Sequence, residues 1–506
     1  MILCLSNKNT KSVSFVIVAA TVVVCYFCFC SHLSIVSPSR IGGLVVAQSD
    51  YGGLGLSVTQ TISDNTVIMS VPSKVALSVE SPGSGPDDPA PFALVTDRKV
   101  IRDAPWFAQF SLYLYTLHNI SSQRGMDMQP WLDSLPRQFD TPIHWSTTAK
   151  DALQYQPLLE DISRQEQEWK IHYNTLMKVG TPALTMTWDD FLWGCECTRS
   201  RAFSGAYTGS AFQPWTYAFT LLLVTTYVGL GFGELEQAAN GGALVVCASI
   251  LKDFVLPKLF KTKRFVICPV IDMANHKSVE TSGVVSFEFF GDAYSLVSTG
   301  TVKQGSELSI SYGTRSNDQL LQYYGFVEVD NPHDVYIMPP LREWNIDALE
   351  KAVGRTFSPG RLQKLDRVGL LGKTAKPDTT SGGEDMVNPN GGVVVTRAAG
   401  IDPAVMIALR ALVSSDNEWE DAGEAIGNFA AEGSGGPENE RLARLAAKTA
   451  LELEIASKPT TVQEDTELLK RIKSSKSMDL SAEDILPILF RMEKKKLLME
   501  IIQTLQ

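Results

Sequence analysis

No basic block offsets the acidic balance of this 506-residue chain, in which 45 Lys and Arg stand against 56 Asp and Glu for a net charge of −11. That excludes the electrostatic footprint of a nucleic-acid binder. A solvated acidic surface accounts for the charge more simply than an acidic face for a basic peptide. Cysteine is sparse as well. Cys4, Cys25, Cys28 and Cys30 fall in an N-terminal apolar region, and Cys195, Cys197, Cys247 and Cys268 are scattered. "CYFC" has the CxxC spacing but no second ligand pair, so no zinc site is read, no metal is expected, and no disulfide framework demands an oxidising compartment. Internal repeats are missing too. The apolar share of 44% and charged share of 20% are those of an ordinary globular chain, long enough for two or three domains.

Long apolar runs, by contrast, are present. "SVSFVIVAATVVVCYFCFC" follows Lys8 and Lys11 with about 18 apolar residues, the length of a membrane span, and no small-x-small cleavage site follows it. Residues 1–40 therefore read as a targeting or anchoring segment, an uncleaved signal anchor ahead of a removed signal peptide. A second run, "PWTYAFTLLLVTTYVGLGFG" (214–233), is followed by "ALVVCASILKDFVLPKLFKTKRF", interrupted by Lys252 and Asp253, with Lys258, Lys261, Lys263 and Arg264 just beyond. An insertion must leave and return on one side, so a hairpin or a double crossing fits and a single crossing does not. A buried helical pair is the rival reading; membrane contact through 13–30 and 214–260 is preferred, with the basic cluster at an anionic surface. Lys8 and Lys11 favour a cytosolic N-terminus. The sequon at Asn119 decides nothing.

Elsewhere the patterning changes twice. "GGLGLSVTQTISDNTVIMSVPSKVALSV" (52–79) alternates as short antiparallel strands do. From about 104 to 203 the pattern is helical, with "WFAQFSLYLYTLHNI" and "EDISRQEQEWKIHYNTLMKVG" clearest, broken by the prolines of "QPWLDSLPRQFDTPIHW". Strands return at "FVICPVIDMANH" and "VVSFEFFGDAYSLVSTGTVKQGSELSISYG", and the tail from about 340 is helical between the loops "KPDTTSGGEDMVNPNGG" and "AAEGSGGPENE". Strands, helical insert, strands, helical tail: this order gives an α+β fold rather than a βαβ repeat. "DPAVMIALRALVSSDNEWE" (402–420) has helical spacing, as stabilising helix or substrate contact alike.

Four separated pieces carry chemistry: "GGLGL", "TRSRAF" (198–203), "DMANH" (272–276) and "ELSISYGTRSNDQLLQYYGFV" (307–327). In this order they resemble the SET-domain protein methyltransferases, in the branch typified by the Rubisco large-subunit lysine methyltransferase and the actin histidine methyltransferase. The resemblance runs from about residue 43 to 506. It implies a SET-type β-fold (41–338) with a long helical insert at about 100–203 and an apolar hairpin-like insert at about 211–260. An all-helical, Rubisco-methyltransferase-type substrate-binding domain follows (339–506).

The resemblance also implies S-adenosylmethionine as cofactor and a protein substrate bearing the accepting lysine, with histidine as the alternative acceptor. A non-catalytic, membrane-tethered binding module is the rival from a different class. By the same resemblance Tyr312 is the catalytic tyrosine beside the transferring methyl, and Tyr324 lines the acceptor channel. Phe326 packs by the cofactor, Asn275 and His276 bind it, Arg201 meets its carboxylate or orders the surroundings, and Gly53 and Gly55 let the backbone approach it. The His276 backbone is expected to matter more than its ring. Asn317 is assigned to capping the next helix and left out of the site. The chain departs from the family's pattern in Gly53-Leu54-Gly55 where Gly-Arg-Gly is usual, in Met273-Ala274 where Leu-Ile is usual, and in the length of the insert between Phe203 and Val266. No cysteine cluster follows Phe326. Location is read as membrane-associated, in an endomembrane or a plastid.

Overall fold

The computed structural model describes residues 44–49, 53–80, 94–119, 123–205, 264–288, 293–371, 392–423, 425–474 and 481–505, with short helical pieces between 219 and 251. The anchor expected at 1–40, most of the 214–260 insert and the loop 376–391 lie outside the described residues. Among the described residues, no helix is long and apolar enough to cross a membrane. The chain divides into two compact units, one comprising residues up to Gln138 with Glu168–Tyr312, the other Phe139–Gln167 with Gly313–Gln506. The division by compactness falls directly after Tyr312, and residues 139–167 belong with the second unit.

Among the described residues of the first unit there are ten short strands. β1 (Leu44–Gln48), β2 (Leu54–Val58), β3 (Val67–Pro72), β4 (Leu77–Glu80), β5 (Phe203–Gly205), β6 (Arg264–Ile267), β7 (Asn275–His276), β8 (Gly283–Glu288), β9 (Ala293–Ser298) and β10 (Glu307–Ile310) form three sheets, ordered β1-β2-β10-β7, β3-β9-β8 and β4-β6-β5. Every pairing is antiparallel except β10 with β7, where Ser309 faces Asn275 and Ile310 faces His276. One apolar core joins the sheets through Leu56, Val266, Leu296 and Leu308, buried because alternate strand positions point inward, together with Ile271. Helices Trp106–Asn119 and Trp188–Arg201 belong to the same unit. Pro130 sits inside the helix Gln123–Ser134, and the proline-rich stretch breaks only after it, resuming as the 3-10 turn Pro142–His144.

The second unit is helical around a small sheet, β11 (Val335–Met338), β12 (Val393–Thr396) and β13 (Gly400–Ile401). The run Val393-Val394-Val395 explains the ribbon, since β-branched side chains suit a pleated, buried surface better than a helix. The expectation of an all-helical tail thus gains two short strands. Two further details differ. Residues 402–420 are two helices, Pro403–Val413 and Asp416–Asp421, because Ser415 and Glu418 form a capping box that restarts the chain. Residues 437–440, expected as loop, already belong to the helix Gly436–Ala456, where Pro437 occupies its first turn.

The helix Ala482–Thr504 buries charge on a scale its sequence, "RMEKKK", does not advertise. Lys494 Nζ donates to Asp318 Oδ2, to Asp334 Oδ1 at 2.8 Å and to the Val335 carbonyl at 2.6 Å. Arg491 donates twice to Asp465 Oδ1 at 2.9 and 2.7 Å, and Lys495 reaches Asp465 Oδ2 at 2.8 Å. Burial works against the Lys494 ammonium, but the two carboxylates more than offset it and hold its pKa above the usual lysine value. Removing one partner of such a cluster is costly because the others stay buried and unpaired. Lys494→Met in the full chain is expected to lose about 3–5 kcal/mol of unfolding free energy in urea titration; a loss under about 1 kcal/mol would show that the ammonium does not neutralise this pair.

Candidate active site

The site is assembled on β2, β7 and β10. Tyr312 follows β10 directly, and its backbone N–H donates to His276 Nδ1 at 3.0 Å. Its phenol hydroxyl donates to the Ala274 carbonyl at 2.9 Å. The two rings lie 5.0 Å apart, tilted by 31°. Parallel pairing of β10 with β7 is what brings residues 36 and 38 positions apart into these bonds. Tyr312, Asn275 and His276 are therefore brought together, as the motifs suggest. The His276 ring bonds through both nitrogens: because Nδ1 accepts from an amide, Nε2 carries the proton and donates to Ser278 Oγ at 3.1 Å.

The two glycines differ in purpose. Gly53 has φ +70° at the end of the β1–β2 turn, where Ser49 N–H donates to its carbonyl at 3.1 Å, and open space surrounds the position a Cβ would take. Its requirement is the left-handed backbone. Gly55 sits within β2, where a Cβ would lie 2.3 Å from Glu307 Oε1 and 2.8 Å from Asn275 Nδ2. Its requirement is space.

Arg201 closes the helix Trp188–Arg201 and donates from Nη1 to Asp272 Oδ2 at 2.9 Å and to the Asp272 carbonyl at 3.3 Å. Trp131 Nε1 donates to the same Oδ2 at 3.2 Å. The Asp272 side chain is fully buried, and burial pushes its carboxyl up while Arg201 and Trp131 pull it down. For Arg201 burial again opposes the charge, but Asp272 leaves the guanidinium held above its usual value. Arg201 thereby orders the 3-10 turn Ile271–Met273 that leads into Asn275. That turn is entered through Val270 at φ 73° and ψ −47°, a conformation that costs a β-branched residue on the order of 1–3 kcal/mol. Among the described residues, Arg201 Nε and Asp272 Oδ1 are buried without a hydrogen-bond partner.

Tyr324 and Phe326 belong to the second unit, where their rings meet edge to face at 6.2 Å. The helix Asn317–Tyr324 ends on Gly325 in the left-handed conformation, backed against Asp140. Ser316 rather than Asn317 caps this helix, accepting from Gln319 N–H. Asn317 is fully buried instead, donating to Asp334 and to the Glu328 carbonyl and accepting from Glu328 N–H. Either residue type can cap, so sequence alone misplaces the cap by one position. Sequence reasoning also passes over Glu307, Asp272 and Trp131. Asp272 stands in "DMANH" and Glu307 opens "ELSISYG", and an acidic residue inside an otherwise apolar strand region was the available signal.

No family model matches the chain. It is 23% identical over 359 residues to the ribulose-1,5-bisphosphate carboxylase/oxygenase large subunit N-methyltransferase of Pisum sativum, covering 64% of this chain and 59% of that one. It is 22% identical over 296 residues to the actin-histidine N-methyltransferase of Danio rerio, covering 56% and 39%. The chain thus spans about three fifths or less of the curated relatives it matches. Among solved structures, the SET domain of LSMT bound to lysine and AdoHcy superposes with a TM-score of 0.55 at 17% identity over 96% of this chain and 91% of that one. Rubisco LSMT bound to AdoMet gives 0.54 over the same shares. The fold is that of a SET domain. Its class is α+β, and the relatives and solved structures fall in the branch that the sequence resembles.

Within that fold the placement of Arg201 depends on one close helix crossing. A Cβ at Gly194 would lie 2.4 Å from Ser111 Oγ and 2.8 Å from Ser111 Cα, and Ser111 Oγ donates to the Phe191 carbonyl at 2.8 Å. Gly194→Ala forces these helices apart and is expected to cost about 1–3 kcal/mol in thermal or urea unfolding of the full chain. Unchanged stability would refute the close crossing.

Proposed function

We propose that this chain is a protein methyltransferase that transfers a methyl group from S-adenosylmethionine to a lysine side chain of a protein. The observation that carries the reading is the Tyr312 phenol, anchored on the Ala274 carbonyl beside the Asn275–His276 pair. When bound, the cofactor supplies a sulfonium-linked methyl that a neutral amine can attack without a covalent enzyme intermediate. The residues present fit such a group: an Arg201 N–H buried without a partner among the described residues calls for an acceptor such as a carboxylate. Arg201, Asn275, His276, Gly53 and Gly55 would hold it, and the resemblance implies that Phe326 packs by it. Tyr312, committed as a donor to Ala274, offers a neighbour its oxygen as an acceptor, which suits weak C–H donors on an electron-poor carbon. Alignment of donor and acceptor is the main catalytic contribution.

The accepting amine must be neutral. An unperturbed lysine has a pKa of about 10.4, so a desolvated, aromatic-lined approach assists proton loss. By the resemblance Tyr324 supplies that lining. Residues 41–338 act as the SET domain with its two inserts, and 339–506 as the substrate-binding domain. A histidine acceptor is the second reading, favoured by the similarity to actin-histidine N-methyltransferases. A binding module without catalysis is disfavoured by the joint presence of Tyr312 and Asn275–His276. In a transfer assay with tritiated cofactor and a proteome extract, the wild type labels protein and Tyr312→Phe labels at least about a hundredfold more slowly. Equal labelling by both would remove Tyr312 from catalysis.

The proposed partners include a membrane, met through 13–30 and the 214–260 insert, in an endomembrane or plastid. Its support is the exposure of Phe219, Leu222, Leu223, Val245 and Leu251 on the described pieces of the insert, with a basic cluster following in sequence. A chain lacking residues 1–40 is expected to stay with the membrane pellet through carbonate extraction; complete release would remove 214–260 from the membrane.

A further inference from the structure

The role of Glu307 is not accounted for by the chemistry above. It opens β10, opposite Ser57 of β2, and its two oxygens reach different segments of the chain. Oε1 accepts from Asn275 Nδ2 at 2.7 Å, and Oε2 accepts from Ser49 Oγ at 3.0 Å. The remaining hydrogen of Asn275 Nδ2 goes to the Leu54 carbonyl at 3.3 Å. An amide nitrogen has two hydrogens, and both are now committed to protein acceptors. Turning the amide over would set its oxygen against a carboxylate and a carbonyl, three acceptors with no hydrogen between them. The side chain is therefore held in one sense, with Oδ1 as the polar atom it can offer elsewhere.

Gly55 gives the same message from the opposite side. The methyl it lacks would fall on Glu307 Oε1 and Asn275 Nδ2, so the absent side chain is the room in which this bond forms. Strands β2, β7 and β10 all contribute to one hydrogen bond: β2 by what it omits, β7 by the amide, β10 by the carboxylate.

We infer that Glu307 is a positioning residue for the donor site, fixing the Asn275 amide so that this subsite accepts a hydrogen-bond donor and rejects an acceptor. The inference rests on the methyltransferase reading, because it assigns a role within that site. A carboxylate that merely pinned strands together would act on folding. One that orients Asn275 acts on ligand affinity, and only while Asn275 is present.

The experiment is calorimetric titration of the full chain with S-adenosylhomocysteine, with thermal unfolding recorded for every variant. Glu307→Ala is expected to weaken binding roughly tenfold, the scale of a charge-assisted hydrogen bond, with kcat at saturating cofactor little changed. Glu307→Gln keeps an oxygen for Asn275 and an N–H for Ser49 Oγ, and is expected to recover most of the affinity. In an Asn275→Ala background, Glu307→Ala is expected to add no further loss, since coupled residues are not additive. Should Glu307→Ala fail to fold, Glu307→Asp takes its place: one methylene shorter, it cannot span Ser49 and Asn275, and the same loss is expected. Wild-type affinity in the Ala or Asp variant, equal weakness of Gln and Ala, or additive losses in the double variant would each overturn the inference. A wild-type chain that binds no S-adenosylhomocysteine would instead sink the methyltransferase reading, and the inference with it.

Discussion

A two-residue parallel pairing holds the site together. Ser309 and Ile310 lie beside Asn275 and His276, and on that short ladder the chain places a tyrosine whose backbone and phenol both bond back to the same segment. Two residues of ladder would not persist alone; strands this short need support from neighbours. The support is the apolar core beneath, where Leu308, Ile271, Met273 and Ala274 are all buried, and the antiparallel partner β2 on the other side of β10. Slipping the register by one residue would turn Glu307 and Ser309 to the opposite face and separate the carboxylate from Asn275.

A second constraint runs through both units. In each, a buried charge is met by several partners that share the cost. Asp272 is met by Arg201 and Trp131, and Lys494 by two carboxylates and a carbonyl. Such clusters contribute less to net stability than their short distances suggest, because desolvation consumes most of the attraction. What they do provide is a single arrangement of the elements they join. The strained Val270 is of the same kind: the backbone there is held by Asp272 N–H on the Cys268 carbonyl and by Met273 N–H on that of Val270.

The sequence was readable where local rules decide the outcome. Alternation located the strands of residues 54–80 and 283–310, and the motif order brought Tyr312 to Asn275 and His276. It was unreadable where pairing decides. Gly55 looks like any turn glycine until β10 is laid beside β2, and Glu307 looks like a strand-end charge until Asn275, 32 residues away, is brought opposite. Close choices between similar residues were lost as well. Ser316 and Asn317 are equally good caps on paper, and burial against Asp334 settles which one is used. The ribbon of β12 and β13 was hidden because its valines stand beside a glycine-rich stretch that dominated the local pattern.

The position of Lys494 has a bearing on how the polypeptide is made. Its partners Asp318 and Asp334 precede it by 176 and 160 residues. At ordinary elongation speeds the ribosome needs roughly ten to thirty seconds to cover that interval. Until the ammonium emerges, the two acids have no counter-charge and must remain hydrated. The helix bearing Tyr324 begins at Asn317, next to one of those acids, so its final seating waits on translation of the distal lysine.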